Sequence, residues 1–68
     1  MQRHEINNLD QWRRATRVNG YRLRSVPDKC DQAYDGDELR GCYYFRDRIG
    51  WILVPDPIFG EVNLERER

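Results

Sequence analysis

The chain is poor in the residues that catalysis draws on. It has one histidine (His4), one serine (Ser25), one threonine (Thr16) and one lysine (Lys29). An active site needs an activated nucleophile, a general base, a metal or a cofactor. His4 stands ahead of the first helix signal, where nothing in the sequence holds it in fixed geometry, so a Cys–His pair with Cys30 or Cys42 has little support. Neither a phosphate-binding loop nor a glycine-rich dinucleotide fingerprint is present. Structural zinc takes four ligands, and the chain offers only Cys30, Cys42 and His4. Asp31-Gln-Ala-Tyr-Asp35-Gly36 has the wrong spacing for a calcium loop. The expectation is a protein with no enzymatic activity, no metal and no cofactor.

Long apolar runs are also missing. The longest, Trp51-Ile52-Leu53-Val54, has four residues, against the roughly 20 needed to cross a bilayer as a helix. No charged start followed by an apolar stretch marks a secretory leader. The expected location is therefore cytoplasmic, away from membranes, with Cys30 and Cys42 as reduced thiols. A disulfide between them is the alternative, worth about 3 kcal/mol in the chain-entropy view.

Charge of one sign is absent in total but not locally. Lysine plus arginine and aspartate plus glutamate each number 12. From 1 to 29 there are seven basic and three acidic groups, 7 − 3 = +4, and from 30 to 68 five basic and nine acidic, 5 − 9 = −4. Such sorting can steer a partner at zero net charge. Arginine supplies all but one of the cations, and its planar fork suits carboxylate and phosphate.

A chain of 68 residues makes one small domain, and a domain of this size buries only about 60% of its unfolded surface. Residues 1–6 read as a polar lead-in and 65–68 as a charged tail, both frayed. Asn7 and Asn8 offer N-caps, Asp10 suits the first turn of a helix, and Asn19-Gly20 is a stop. The spacing of Leu9, Trp12, Ala15 or Thr16, and Asn19 predicts a helix over about 8–19. Alternation over Tyr21–Val26 predicts a strand, with Arg22 and Arg24 on one side. Residues 28–41 are hard to read, with Asp35-Gly36 as a turn and Gly41 as a bulge or loop end. Cys42–Arg46 and Trp51–Val54 form the best hairpin, joined by Asp47–Gly50 with Gly50 in the left-handed region. A short last strand falls at 58–64.

These elements predict an α+β fold. One short N-terminal helix packs on a three- to four-stranded antiparallel sheet, arranged as a meander or a small barrel. Trp12, Leu23, Trp51 or Ile52, Leu53 or Val54, Val62 and Leu64 are the core candidates.

Two binding surfaces compete. Tyr43, Tyr44 and Phe45, with Trp51, give both faces of one hairpin an apolar character, and a single helix covers only one face. The other face is then an interface candidate for a protein partner or for a second copy, with arginines at its rim. The alternative is a nucleic-acid surface built from Arg13, Arg14 and Arg17 on the helix and Arg22 and Arg24 on the first strand, provided the two adjoin. The primary expectation is a regulator or inhibitor acting through protein contacts.

Overall fold

A computed structural model describes residues 1–55. The expected strand at 58–64, the tail at 65–68 and the core candidates Val62 and Leu64 lie outside the described residues. The elements are β1 (Gln2–Ile6), α1 (Leu9–Val18), β2 (Arg22–Val26), β3 (Cys30–Asp35), β4 (Glu38–Tyr44) and β5 (Ile49–Val54). The five strands form one antiparallel sheet in the order β1-β5-β4-β3-β2. Strands β2 to β5 are a meander, and β1 adds to the β5 edge. Among the described residues β1 and β2 do not pair, so the sheet is open rather than a barrel.

The helix begins and ends where its caps dictate. The Asn8 side chain accepts from the Gln11 amide at 3.0 Å and so satisfies a donor that the first turn leaves open. At the other end Gly20 takes φ 74°. Its amide donates to Arg17 O at 3.0 Å and the Tyr21 amide to Thr16 O at 2.9 Å, the paired bonds of a Schellman stop. Between the caps, Trp12, Ala15 and Thr16 are buried, as helical spacing requires of one stripe.

That stripe lies across one face of the sheet. Register places Ile6, Gly50, Ile52, Val54, Gly41, Tyr43, Asp31 and Ala33 on the helix side. Trp12 is fully buried against this surface. Its ring centroid lies 6.0 Å from that of Tyr43, and its indole N–H donates to Trp51 O at 2.9 Å. Burying an indole removes roughly 200 Å² from water, worth on the order of 5 kcal/mol before entropic costs. Small residues line the seat. Ala33 pairs with Gly41, and a Cβ on Gly41 would stand 2.7 Å from Trp51 O and 3.3 Å from Ile52 Cα.

The structure departs from the sequence reading in the number of strands and at Leu23 and Gly50, while at Gly41 the bulge, one of the two readings of that position, is present. The sheet has five strands, because residues 1–6 are strand β1 and residues 28–41 hold β3 and most of β4. Only Ile6 of β1 is both apolar and buried, so its strand character comes from pairing with β5, a contact some 48 residues away in sequence (Gln2 with Val54, Ile6 with Gly50). Leu23 is on the helix side but at the β2 edge, and it is 43% exposed rather than core. Gly50 lies within β5, and it is Arg48 that takes the left-handed conformation, at φ 56°. Glycine is needed at 50 for a different reason: a Cβ there would meet Cys42 O and Tyr43 Cδ2 at 2.7 Å. Gly41 follows a bulge, since Ala33 pairs with Gly41 and Tyr34 with Leu39, leaving Arg40 as the extra residue.

Gly41→Ala tests the close approach of β4 and β5. The added methyl meets backbone that cannot swing away, so the expected loss is about 2 kcal/mol, read as a lower urea midpoint with an unchanged slope. The same substitution at exposed Gly36, where no atom lies within 4 Å, costs only the strain of its φ of 64°.

Candidate recognition face

The sheet face away from the helix collects the alternate residues of every strand. Register assigns to it Arg3 and Glu5 of β1, Ile49, Trp51 and Leu53 of β5, and Leu39, Cys42 and Tyr44 of β4. Cys30, Gln32 and Tyr34 of β3 and Arg22, Arg24 and Val26 of β2 complete it. No element among the described residues lies over this face.

Its centre is apolar. Tyr44, Leu39 and Ile49 are 42%, 41% and 40% exposed, and Trp51 and Leu53 are half-buried. Its two ends are basic. At the β1 edge the Arg3 guanidinium stands 5.0 Å from the Trp51 ring centroid. At the β2 edge Arg22 stands 5.7 Å from the Tyr34 ring, with exposed Arg24 on the same side of the strand. Both contacts are within cation–π range. Each holds a guanidinium over a ring rather than leaving the ring bare.

Two thiols lie under this surface. Cys30 and Cys42 are free and buried, on neighbouring strands one register step apart (Cys30 with Tyr44, Gln32 with Cys42). Burial pushes the Cys42 thiol above the ordinary value, the nearby Tyr44 phenol acts in the opposite sense, and the neighbouring Cys30 adds to the rise. The Cys42 thiol is in turn the first cause of a raised Tyr44 phenol.

Of the residues singled out in the sequence, Tyr44 and Trp51 meet on this face. Tyr43 does not. It is 4% exposed and packs on Trp12 in the core, so it presents no surface to a partner. Phe45 lies in the loop after β4, partly buried against the same core. The five arginines are split. Arg22 and Arg24 lie on the helix-free face, whereas Arg13, Arg14 and Arg17 belong to the helix layer on the other side. Their expected union into one patch does not form, because β2 turns its arginines away from the helix. Arg3, Leu39 and Ile49 were missed. Arg3 was hidden in a segment read as a tail, and no local signal aligns Leu39 with Tyr34 or Ile49 with Tyr44.

Arg13 has a different task. Its Nη2 lies 2.8 Å and its Nε 2.9 Å from Asp31 Oδ2, and the Ser25 hydroxyl donates to Asp31 Oδ1. Asp31 is fully buried, so these donors replace the water it has lost. The pair ties α1 to β3, and the Ser25 contact ties β3 to the β2 edge. A second tie lies at the sheet's other end, where the Tyr21 hydroxyl donates to Leu53 O at 2.7 Å. Burial raises this phenol, with nearby Arg40 acting in the opposite sense.

An open cleft lined by Asn7, Asn8, Leu9, Tyr43, Phe45 and Arg48 lies beside the helix start, without a nucleophile–base pair. Among the described residues no three His, Cys, Asp or Glu side chains are grouped to hold a metal ion, and no helix is long and apolar enough to cross a membrane. No family model matches the chain, and no curated protein or solved structure matches it either.

Two outcomes follow from this geometry. Arg13→Ala strands a buried carboxylate, with an expected cost of about 3 kcal/mol. Asp31→Asn keeps the shape and frees a partly exposed guanidinium to water, so it costs less. Urea unfolding of the two variants reads the difference, and an equal or reversed order would contradict the role given to Arg13. The second concerns pH. The folded Cys42 value lies above that of the unfolded chain, so the fold favours the neutral thiol. That contribution is complete below the ordinary thiol range and is lost as pH rises through the raised range. The unfolding midpoint should fall on the alkaline side, and less steeply in Cys42→Ala.

Proposed function

We propose that this chain is a non-catalytic binding protein, a regulator or inhibitor in kind, that recognises another protein through the helix-free face of its sheet. The observation that carries the reading is one-sided cover: among the described residues the five-stranded sheet has a single helix, on one face. On the other, Tyr44, Leu39 and Ile49 each keep about two-fifths of their surface in water. Exposed large apolar groups gathered on one sheet face are costly unless something binds there. An apolar centre with aromatic residues, and arginines at the rim, is also the anatomy of protein interfaces. The split of the arginines takes away the main support for a nucleic-acid surface shared by helix and strand.

The test is site-specific photo-crosslinking in the host cell. A photoreactive phenylalanine analogue replaces Tyr44 or Ile49 on the face, or exposed Gln11 on the helix, in chains shown to fold by circular dichroism. A discrete protein adduct from positions 44 and 49, absent from position 11, is the expected result. Adducts formed equally from all three positions, or from none, refute the reading.

A further inference from the structure

Resting on that reading, we infer that the partner of this face is an acidic protein segment, with an apolar strip flanked by carboxylates, and not a second copy of this chain. The face carries three guanidiniums, Arg3, Arg22 and Arg24, against one carboxylate, Glu5. They stand at its two lateral edges, because β1 and β2 are the outermost strands of the sheet. Between them lie Trp51, Tyr44, Leu39, Ile49 and Leu53, apolar or aromatic and uncharged.

A symmetric dimer through this face meets a charge conflict. A two-fold axis along the strands lays β1 of one copy over β2 of the other, so Arg3 approaches Arg22 and Arg24. A two-fold axis across the strands lays each edge strand over its own counterpart running the other way, so Arg22 and Arg24 of one copy meet those of the other at the β2 edge even where Arg3 finds Glu5 at the β1 edge. Either arrangement gathers six guanidiniums against two carboxylates. Like charges brought together out of water oppose association strongly. An anionic partner removes the conflict.

The kind of anion follows from the rings. Single-stranded nucleic acid gains much of its affinity by stacking bases on open aromatic faces. Here Arg3 lies over Trp51 and Arg22 over Tyr34, and both rings are half-buried. Leu39, Ile49 and Leu53 supply aliphatic surface, which packs against aliphatic side chains and has no stacking role. A guanidinium beside a ring keeps N–H donors for a further acceptor, and a carboxylate is the acceptor that matches its fork. Apolar side chains for the centre and carboxylates for both ends describe an acidic amphipathic segment.

The experiment is an NMR and Trp-fluorescence titration of the full chain with three probes: a short peptide of alternating leucine and glutamate, its leucine–lysine counterpart, and a mixed-sequence single-stranded oligonucleotide. The expected result is binding of the glutamate peptide, with shifts at the Trp51 indole and at Tyr44. The affinity should be at least about tenfold above that for the lysine peptide and weaken with salt. The triple variant Arg3→Glu, Arg22→Glu, Arg24→Glu should reverse that preference, whereas Arg14→Glu with Arg17→Glu on the helix layer should leave it unchanged. Four results overturn the inference: no preference for the glutamate peptide, or no binding of it; tighter binding of the oligonucleotide; a dimer in light scattering that the triple variant alters; or glutamate-peptide binding that arises only after Glu61, Glu65 and Glu67 are changed to Gln, which would assign the face to the chain's own residues 56–68. Face-specific crosslinks that persist in the triple variant would sink only the acidic partner. Their absence from positions 44 and 49 would sink the binding face itself.

Discussion

The rest of the fold depends on the seat of Trp12. A helix of 10 residues is too short to be stable alone, and the sheet needs cover on at least one face. The indole supplies both. It packs in one cluster with Ala33, Ile52 and Val54, lies tilted against Tyr43, and reaches the Trp51 carbonyl of β5 with its N–H. The lack of side chains at Gly41 and Gly50 lets the β4 and β5 backbones come as close as this seat requires. The helix is then steered across the sheet by the Arg13–Asp31 pair at one end and by the Tyr21–Leu53 bond after its stop at the other.

One helix cannot cover two faces, and the functional reading grows from that limit. The chain connects β1 to β2, the two edges of the sheet, through α1. The crossing places the one helix among the described residues on one side of the sheet. What remains on the other side is a surface with aromatic and aliphatic groups at its centre and guanidiniums at its margins. Its buried layer holds the Cys30 and Cys42 side chains, which suit an apolar environment as small hydrophobes. The buried charge of the domain, Asp31, is kept on the helix side, where Arg13 and Ser25 satisfy it. Buried charge thus lies on the helix side, and the exposed apolar groups lie mostly on the other face, with Leu23 at the β2 edge as the exception.

Much of the helix was legible in the sequence because its signals are local. Asn8, Asp10, Asn19 and Gly20 act on backbone groups within one turn, and the caps fall where they were read. The hairpin of β4 and β5 was legible for a similar reason, being rich in strand formers around a short loop. Strand β1 was not legible: with one buried apolar residue it has no pattern of its own. Leu23 misled, since alternation tells which side of a strand a residue takes but not whether that strand lies at an edge. Among the candidate residues, Tyr44 and Trp51 share the helix-free face, whereas Tyr43, placed beside Tyr44 in that grouping, lies on the other, because neighbours in a strand point to opposite faces.

By itself the sequence determined the helix and its limits, the class of the fold, the scarcity of catalytic groups and the presence of one hairpin with apolar character on both faces. All of these rest on interactions within a few residues of each other, or on composition. Tertiary structure alone decided that β1 joins β5, that the sheet stays open, that Arg13 serves a buried carboxylate, and that Arg3 joins Arg22 and Arg24 at the margins of one face. Each of these depends on which strand lies beside which. Pairing between distant segments is set by the summed fit of backbone ladders and packed side chains over the whole sheet, and no single stretch of the chain carries that sum.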